Sequence, residues 1–302
     1  MNSYRLYGLN IQSDLALPEL LAGPALDAGE PDVRIDVSES VPLRPEGARV
    51  GEDGCWATPE RFFLPVPDVA DFLVERGRAI TVYPATGIDD ASVRLYLLGS
   101  AIGALLIQRG YLVLHGNAIQ IGEHCLICVG ESGAGKSSLA AAFMQQGYRI
   151  LADDVVPITA SGWAIPGMPR IKLWQDAADG LGIATTGLRR IMPGMDKYNV
   201  PLDAHYAGQS LPVRWVCVLE EGEGGICIRE VGGLERLKRL AENTYRAHFL
   251  DVMGRVGVHF AQCTTLAERT SMAEISRPPT GASPADLVRW ILPLCDSEPV
   301  RR

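Results

Sequence analysis

Residues 124–144 read HCLICVGESGAGKSSLAAAFM, and residues 130–137 within them carry the full phosphate-binding loop pattern G-x-x-x-x-G-K-[ST]. An apolar run that favours a β-strand leads into this loop, and a run of good helix formers leaves it. In that order, backbone N–H groups converge on phosphate oxygens and the helix N-terminus adds partial positive charge. The stretch therefore predicts a nucleotide-phosphate site rather than an ordinary glycine-rich loop.

Two side chains of the loop have predicted roles in binding ATP and Mg²⁺. Lys136 is expected to reach the outer phosphates, and the Ser137 hydroxyl is expected to be a ligand of Mg²⁺. The full set of predicted nucleotide-binding residues is Gly130, Ser132, Gly133, Ala134, Gly135, Lys136, Ser137 and Ser138.

A second β-type run, residues 111–121, precedes the loop strand, and only two residues separate the runs. A connection of that length closes an antiparallel hairpin, which argues against an all-parallel sheet. Pairing Ile121 with His124 sets the register and places His115 opposite Gly130, at the mouth of the loop. His115 is therefore a candidate active-site residue, the alternative being a buried core histidine.

After the loop helix, residues 148–152 predict a short strand that ends at Asp153 and Asp154. Phosphoryl transfer needs a carboxylate near Mg²⁺ and a group that receives the proton of the nucleophile. Because side chains alternate in direction along a strand, the two aspartates are expected to have different roles. The alternative is an Asp-rich turn.

Three segments, residues 115–116, 130–137 and 152–154, together resemble the catalytic core of the HPr kinase/phosphorylase family, bacterial enzymes that phosphorylate a serine hydroxyl on a protein. The resemblance covers roughly the second third of the chain. It implies an α/β, P-loop kinase fold of the HPr kinase type, and it implies an oligomer.

The resemblance also implies the roles of the site residues. Asp153 would be the general base on the acceptor hydroxyl, with His115 as its partner. Asp154 would be an orienting carboxylate or, with Ser137, a ligand of Mg²⁺. Which of the two aspartates is the base and which lies on the metal side stays open from the sequence.

One segment departs from the family. Where its second signature reads Glu-x-Arg-Gly-Leu-Gly-Ile, residues 177–183 read AADGLGI, which argues against HPr as the substrate and against the reverse, phosphorylase reaction. Residues 169–174 and 196–198 are more similar to shorter HPr-kinase-like proteins found with ribosomal peptide maturation systems. Some of those act on lasso-peptide precursors at a serine, so this resemblance favours a ribosomally made precursor peptide as the acceptor.

Composition limits the class of protein. The chain has 302 residues, of which 47% are hydrophobic, so it can bury a substantial core. A net charge of −8 argues against nonspecific nucleic-acid binding, which rewards clustered cations. The first residues lack the apolar run of a signal peptide, and seven cysteines without framework spacing suit reduced thiols, so a cytoplasmic setting is expected. Cys125 and Cys128 would point to opposite faces of a strand and are assigned to packing.

Two domains are expected. Residues 1–88 contain short β-type runs separated by Pro, Gly and Asp, and they predict a small, mostly-β N-terminal domain. Residues 89–302 predict the P-loop catalytic domain, with a mixed, partly antiparallel sheet. The apolar helix that begins near residue 89 has an uninterrupted apolar part of only about 13 residues, too short to span a bilayer, so it is expected to be buried in the protein.

The remaining segments are less informative. Residues 157–210 predict an irregular excursion that could form a lid, in which Arg189, Arg190 and Lys197 would bind ATP phosphates or an acidic peptide, or would be a solvated basic face. Residues 213–219 and 226–229 predict a strand pair around a turn. Further elements expected after them are helices over 234–249 and 260–272, a strand over 273–276 and a capped helix from residue 283. His248 and His259 are expected to be structural, and the role of Arg246 is left open.

Together these features predict an ATP- and Mg²⁺-dependent serine kinase that acts on a peptide or protein hydroxyl. Alternatives are a kinase of HPr, a kinase of a small hydroxylated metabolite, and a non-catalytic ATP-sensing regulator or maturation accessory. The intact His115 and the paired aspartates favour an enzyme.

Overall fold

The computed structural model describes residues 1–25, 29–278 and 283–296. These residues form a mixed α/β structure with two large β-sheets, a small two-stranded sheet and helices packed against them.

Strands from the described part of residues 2–84 form the first large sheet, in the order β3-β1-β2-β4-β9-β8-β7-β6-β5. They are β1 (Asn2–Leu6), β2 (Leu9–Ser13), β3 (Leu21–Ala22), β4 (Val33–Val37), β5 (Arg49–Val50), β6 (Trp56–Ala57), β7 (Arg61–Val66), β8 (Ala70–Glu75) and β9 (Ala79–Pro84). Alternation of apolar and polar residues sets the buried face, as where Val33 and Ile35 are buried while Arg34 between them is exposed. A domain boundary at residue 88 stays a prediction, because the core under this sheet also contains residues from 93–107 and 245–252.

A continuous helical run lies between the two large sheets. It consists of α1 (Asp90–Tyr96), a π-helical turn (Leu97–Ala101) and α2 (Ile102–Gln108). Asp89 caps it by accepting the backbone N–H of Ser92 at 2.9 Å. By length and composition these 19 residues could span a membrane, but 72% of the most apolar window is buried inside the protein. The run is thus a core helix in this structure, as its short apolar part predicts.

The ring of Tyr245 packs closely against the core helix at Gly103, where there is no side chain. A Cβ atom at Gly103 would lie 2.9 Å from Tyr245 Cε1 and 3.0 Å from Cδ1. We expect Gly103→Ala to lower the free energy of unfolding by about 1 kcal/mol, because overpacking of about 1–3 kcal/mol exceeds the gain in helix propensity. Urea unfolding checks this, with Gly180→Ala as the control, since Gly180 has nothing within 4 Å of its added Cβ. Equal stability of the two variants would contradict this packing.

The elements after the core helix are β10 (Leu112–Ile121), β11 (His124–Gly130), α3 (Lys136–Gln145), β12 (Arg149–Ile158), β13 (Trp163–Ala164), β14 (Arg170–Trp174), α4 (Gln175–Gly180), β15 (Lys197–Pro201), a 3₁₀ turn (Asp203–His205), β16 (Leu211–Glu221), β17 (Cys227–Glu230), α5 (Gly233–Glu242), α6 (His248–Val252), α7 (Val256–Arg269), β18 (Ser271–Arg277) and α8 (Pro284–Asp296).

The second large sheet is mixed, as predicted. Its described strands lie in the order β11-β10-β12-β13-β16-β18-β17, and an additional pairing of β11 with β16 closes a ring. β10 and β11 form the predicted antiparallel hairpin, with the register running from Ile121 opposite His124 to Gly116 opposite Val129. β11, β16 and β18 are parallel to one another. The loop strand therefore has one antiparallel and one parallel neighbour.

Four sequence predictions about the fold are wrong. The strand carrying the aspartates does not end at Asp154 but runs on to Ile158, paired antiparallel to β10. β16 and β17 are not paired with each other, because β18 lies between them. Residues 157–210 are not irregular throughout. β14 and β15 pair as a separate two-stranded sheet, and β13, α4 and the 3₁₀ turn also lie in this segment. The helix predicted over 234–249 is divided into α5 and α6 by a turn in which Arg246 has a φ of 51°.

Other predictions are confirmed. Cys125 and Cys128 are buried in different apolar clusters on opposite faces of β11. His259 is buried and its Nε2 lies 2.7 Å from Thr244 Oγ1, which is a structural contact. Ser283 caps α8, since its Oγ accepts the backbone N–H of Asp286 at 3.1 Å.

Candidate active site

The loop between β11 and α3 depends on glycine at its first position. Gly130 has a φ of +146°, and a Cβ atom there would lie 2.4 Å from the carbonyl oxygen of Leu219 on the neighbouring strand. β11 thus ends pressed against β16, and the chain turns into the loop and then into α3 at Lys136. This is the strand, loop and helix order that brings backbone N–H groups and a helix N-terminus to one place.

Lys136 lies across the loop. Its Nζ donates to the carbonyl oxygens of Gly130 at 2.7 Å and Glu131 at 2.9 Å. Burial lowers the pKa of Lys136, while Asp154 and Asp153 act in the opposite direction. The ammonium is therefore held at the loop, facing two carboxylates.

Asp153 is buried behind the loop. One of its oxygens accepts from the Asn117 side chain and from the Ser137 hydroxyl, the latter at 3.2 Å, and the other accepts the backbone N–H of Lys172 at 2.7 Å. Burial and then the neighbouring Asp154 raise the pKa of Asp153. The contact with the loop serine places Asp153, not Asp154, on the side where Ser137 would bind a metal.

Asp154 points into the cleft and has a φ of 78°, which is unusual for a residue other than glycine. Its Oδ2 accepts from Lys172 Nζ at 2.6 Å, and its Oδ1 lies 3.3 Å from His115 Nδ1. Burial alone would raise the pKa of Asp154, but Lys172 and His115 outweigh burial and hold the pKa well below its usual range. Asp154 is therefore an ionised carboxylate fixed in orientation by two side chains.

His115 lies where the hairpin register places it, next to Gly116 at the loop end of β10. Its backbone N–H donates to the carbonyl of Asn243 at 2.8 Å, and its Nδ1 lies 3.0 Å from the carbonyl oxygen of Asp154. Its ring centre is 5.9 Å from that of Tyr245. His115 thus orients Asp154 rather than contacting Asp153, which is the partner that the resemblance implies.

A cleft with a volume of about 1370 Å³ lies beside the loop and is lined by His115 and Asp154. It is larger than the roughly 300–1,000 Å³ of a pocket for a single small molecule. The residues that line it include His115, the loop residues Gly130, Glu131, Ser132, Gly133 and Ala134, and Asp154, Lys172, Lys197, Tyr245 and Arg246. Gly135, Lys136, Ser137, Ser138 and Asp153 do not line it and lie at the base of the loop instead. The cleft has room for a nucleotide and a second substrate.

Sequence reasoning missed two residues of the site. Lys172 on β14 pairs with Asp154, and Asn117, which lies two positions after His115 on β10, donates to Asp153. A signal existed for Lys172, since it is one of only four lysines and is close in sequence to the site. For Asn117 the signal is its spacing, because residues two apart on a strand share a face.

The three arginines whose roles the sequence left open lie in different parts of the structure. Arg190 is an exposed residue that pairs with Asp196 at 2.8 Å, so it belongs to a solvated face. Arg246 lines the cleft, with its guanidinium carbon 5.8 Å from the centre of the Tyr245 ring. Arg189 does not line the cleft.

The donor atoms around Ser137 fit Mg²⁺. In the described residues, no group of three or more His, Cys, Asp or Glu side chains is placed to hold a metal on its own. Mg²⁺ is usually bound through one or two carboxylates together with substrate phosphates and waters. The Ser137 hydroxyl and the Asp153 carboxylate, 3.2 Å apart at the base of a phosphate loop, match that requirement.

Part of this chain is similar in sequence to known HPr kinase/phosphorylases. Two HPr kinase/phosphorylases from Clostridium botulinum, of the Eklund 17B (Type B) and Alaska E43 (Type E3) strains, are each 30% identical to this chain over 95 residues. The match covers 31% of this chain and 31% of each relative, so this chain spans about a third of the length of the curated relatives it matches. No protein-family model matches the chain. These similarities support a distant relationship with HPr kinase/phosphorylase.

Among solved structures, the HPr(Ser) kinase/phosphatase from Coxiella burnetii is similar to this chain with a TM-score of 0.31 and 14% sequence identity. That match covers 61% of this chain and 94% of the solved chain.

Proposed function

We propose that the protein is an ATP- and Mg²⁺-dependent serine kinase that transfers the γ-phosphoryl group to a hydroxyl of a peptide or protein. The observation that carries the proposal is the placement of Asp154. It is an ionised carboxylate, fixed by His115 and Lys172, that faces the same cleft as the glycine-rich loop.

The loop would bind the nucleotide. Its backbone N–H groups and Lys136 would contact the phosphates, and Ser137 with Asp153 would hold Mg²⁺. Bound Mg²⁺ would neutralise charge on the phosphates. Asp153 is suited to this place because its carboxylate already lies beside the Ser137 hydroxyl.

Asp154 would act on the acceptor. A carboxylate directed into the cleft can accept a hydrogen bond from the attacking hydroxyl and orient it in line with the γ-phosphorus. Because its pKa is low, it receives the proton late, once the hydroxyl oxygen has begun to bond to phosphorus and its proton has become acidic. This exchanges the roles that the resemblance implies for Asp153 and Asp154. The geometry favours the exchange because Asp153 is enclosed by Asn117, Ser137 and the backbone of Lys172 and does not line the cleft.

For the acceptor we favour a ribosomally made precursor peptide of the lasso type. Residues 169–174 and 196–198, which carry that resemblance, contribute to β14 and β15 beside the cleft. The volume of about 1370 Å³ leaves space for a peptide segment next to a nucleotide. HPr is a weaker candidate because residues 177–183 lack the Glu and Arg of the family signature.

The test is to incubate the protein with ATP, Mg²⁺ and candidate precursor peptides encoded near its gene, and to locate phosphate by mass spectrometry. We expect one phosphorylated serine, and no product from the same peptide with that serine replaced by alanine. If the protein binds ATP but leaves every peptide, HPr and protein acceptor unmodified, the kinase proposal is wrong and an ATP-sensing accessory is favoured.

A further inference from the structure

Lys197 lies on β15 opposite Trp174 of β14, and its ammonium nitrogen is 5.3 Å from the centre of the Trp174 ring. The backbone carbonyl of Lys197 accepts the N–H of Ile191 at 2.9 Å, which ties β15 to the preceding segment. The side chain lines the same cleft as the loop residues Gly130–Ala134 and Asp154.

The basic residues in and beside this small sheet differ in their partners. Lys172 pairs with Asp154 at 2.6 Å, and Arg190 pairs with Asp196 at 2.8 Å. Lys197 forms no ion pair with any residue in the described ranges, although it is half-buried. Burial lowers the pKa of Lys197, while Asp153 acts in the opposite direction. A partly buried cation without a paired anion is unfavourable by itself, and an incoming anion would relieve that cost.

The charged side chains closest in effect to Lys197 are more often basic than acidic. Within the described residues, the groups that act electrostatically on Lys197 include Asp153, Asp154, Lys172, Arg170 and Lys136. Together with Lys197 they comprise four basic side chains and two carboxylates, an excess of two positive charges. Of these six groups, Lys172, Lys197 and Asp154 line the cleft, whose lining also contains Glu131, Glu220, Glu221, Glu242, Arg239 and Arg246. Lys197 and Lys172 are the lysines that line the cleft together with the loop residues, and of the two only Lys172 has a carboxylate partner among the described residues.

We propose that Lys197, which lines the cleft together with the loop residues Gly130–Ala134, binds the terminal phosphoryl group of the nucleoside triphosphate. This rests on the proposed kinase function. In the transfer step the bond between the β,γ-bridging oxygen and the γ-phosphorus breaks, and a bond from the acceptor oxygen to phosphorus forms. The acceptor proton passes to Asp154 and the nucleoside diphosphate leaves. Lys197 keeps its protons and stabilises charge on the oxygens of the group in transit.

If Lys197 has this role, its removal affects the binding of ATP and of ADP differently. A contact with the terminal phosphoryl group contributes to binding ATP but not ADP. A contact with an acidic acceptor peptide would leave both nucleotide affinities unchanged and would alter only the KM for the peptide.

The experiment is isothermal titration of the full chain with Mg–ATP and Mg–ADP. It compares the wild type with Lys197→Met, which keeps an apolar side chain over Trp174, and with Lys197→Arg, which keeps the charge. We expect Lys197→Met to weaken ATP binding about tenfold and ADP binding less than about twofold, and Lys197→Arg to restore part of the loss. Lys238→Met is the matched control, because Lys238 is exposed, pairs with Glu242 at 3.6 Å and does not line the cleft.

An unchanged ratio of ATP to ADP affinity in Lys197→Met would overturn the role of Lys197. This can occur in two ways: both affinities fall equally, or neither falls and only the KM of the peptide changes. In each of these the wild type still binds ATP and transfers phosphate, so the kinase function stands. A wild type that binds no nucleotide would overturn the proposed function and this role together.

Discussion

Replacing Asp154 with Asn is expected to lower the rate of phosphoryl transfer by a factor of about 10³ while Mg–ATP affinity stays within about threefold of the wild type. The amide has nearly the shape of the carboxylate but cannot receive the proton of the acceptor hydroxyl. Lys172 and His115, which fix Asp154, would lose their anionic partner. Single-turnover transfer of labelled phosphate to the acceptor, with nucleotide binding measured in parallel, checks the expectation.

The matched variant is Asp153→Asn, one position earlier on β12. Since Asp153 contacts the Ser137 hydroxyl, this variant is expected to raise the Mg²⁺ concentration needed for half-maximal transfer. Thermal unfolding of both variants controls for loss of structure, because both aspartates are hydrogen-bonded inside the protein. The division of roles is wrong if Asp154→Asn alters the Mg²⁺ requirement and Asp153→Asn alters only the transfer rate.

Replacing Lys136 with Met is expected to reduce kcat/KM for ATP by a factor of about 10³ or more. Its ammonium is placed at the loop by the carbonyls of Gly130 and Glu131, where it can exchange those contacts for phosphate oxygens. Charge-assisted contacts to phosphate are among the stronger polar interactions, and charge stabilisation is a large part of phosphoryl transfer. The measurement is the dependence of the initial transfer rate on ATP concentration.

Lys238→Met serves as the control for removing a lysine from this chain, since Lys238 is an exposed residue outside the cleft. It should retain the wild-type kcat/KM. If Lys136→Met transfers phosphate at a rate within about tenfold of the wild type, the loop does not bind the reacting nucleotide in the way its pattern predicts.

The sequence predicts the loop and its hairpin well because both depend on local interactions. The phosphate-loop pattern determines a turn between a strand and a helix, and the two-residue connection at Gly122 and Glu123 determines the pairing register. From that register the position of His115 at the loop end of β10 follows directly. These features need no knowledge of distant parts of the chain.

The strand through Asp153 and Asp154 is longer than the sequence predicts because its polar residues have partners that are far away in the chain. Carboxylates are unfavourable inside a strand unless they are hydrogen-bonded. Here Asn117 and Lys172 supply those bonds from β10 and β14. Lys172 lies on β14, which pairs with β15 across residues 170–201, and that pairing has no local signal.

The placement of β18 between β16 and β17 is also nonlocal. A turn between residues 219 and 227 favours a hairpin when only the local sequence is considered. The parallel pairing of β16 with β18 follows instead from the helices that lie between them in the chain and pack on the sheet. The same connection brings the turn with Tyr245 and Arg246 to the cleft, which the sequence could not place.

The assignment of Asp153 to Mg²⁺ and of Asp154 to the acceptor hydroxyl is tested most directly by a crystal structure of the protein with Mg²⁺ and a non-hydrolysable ATP analogue. We expect Mg²⁺ to be bound to the Ser137 hydroxyl, with Asp153 as a ligand directly or through water, and the terminal phosphate to lie on Lys136 facing Asp154. Mg²⁺ coordinated by Asp154 would contradict the roles of the two aspartates, and a triphosphate bound away from the loop would contradict the nucleotide site.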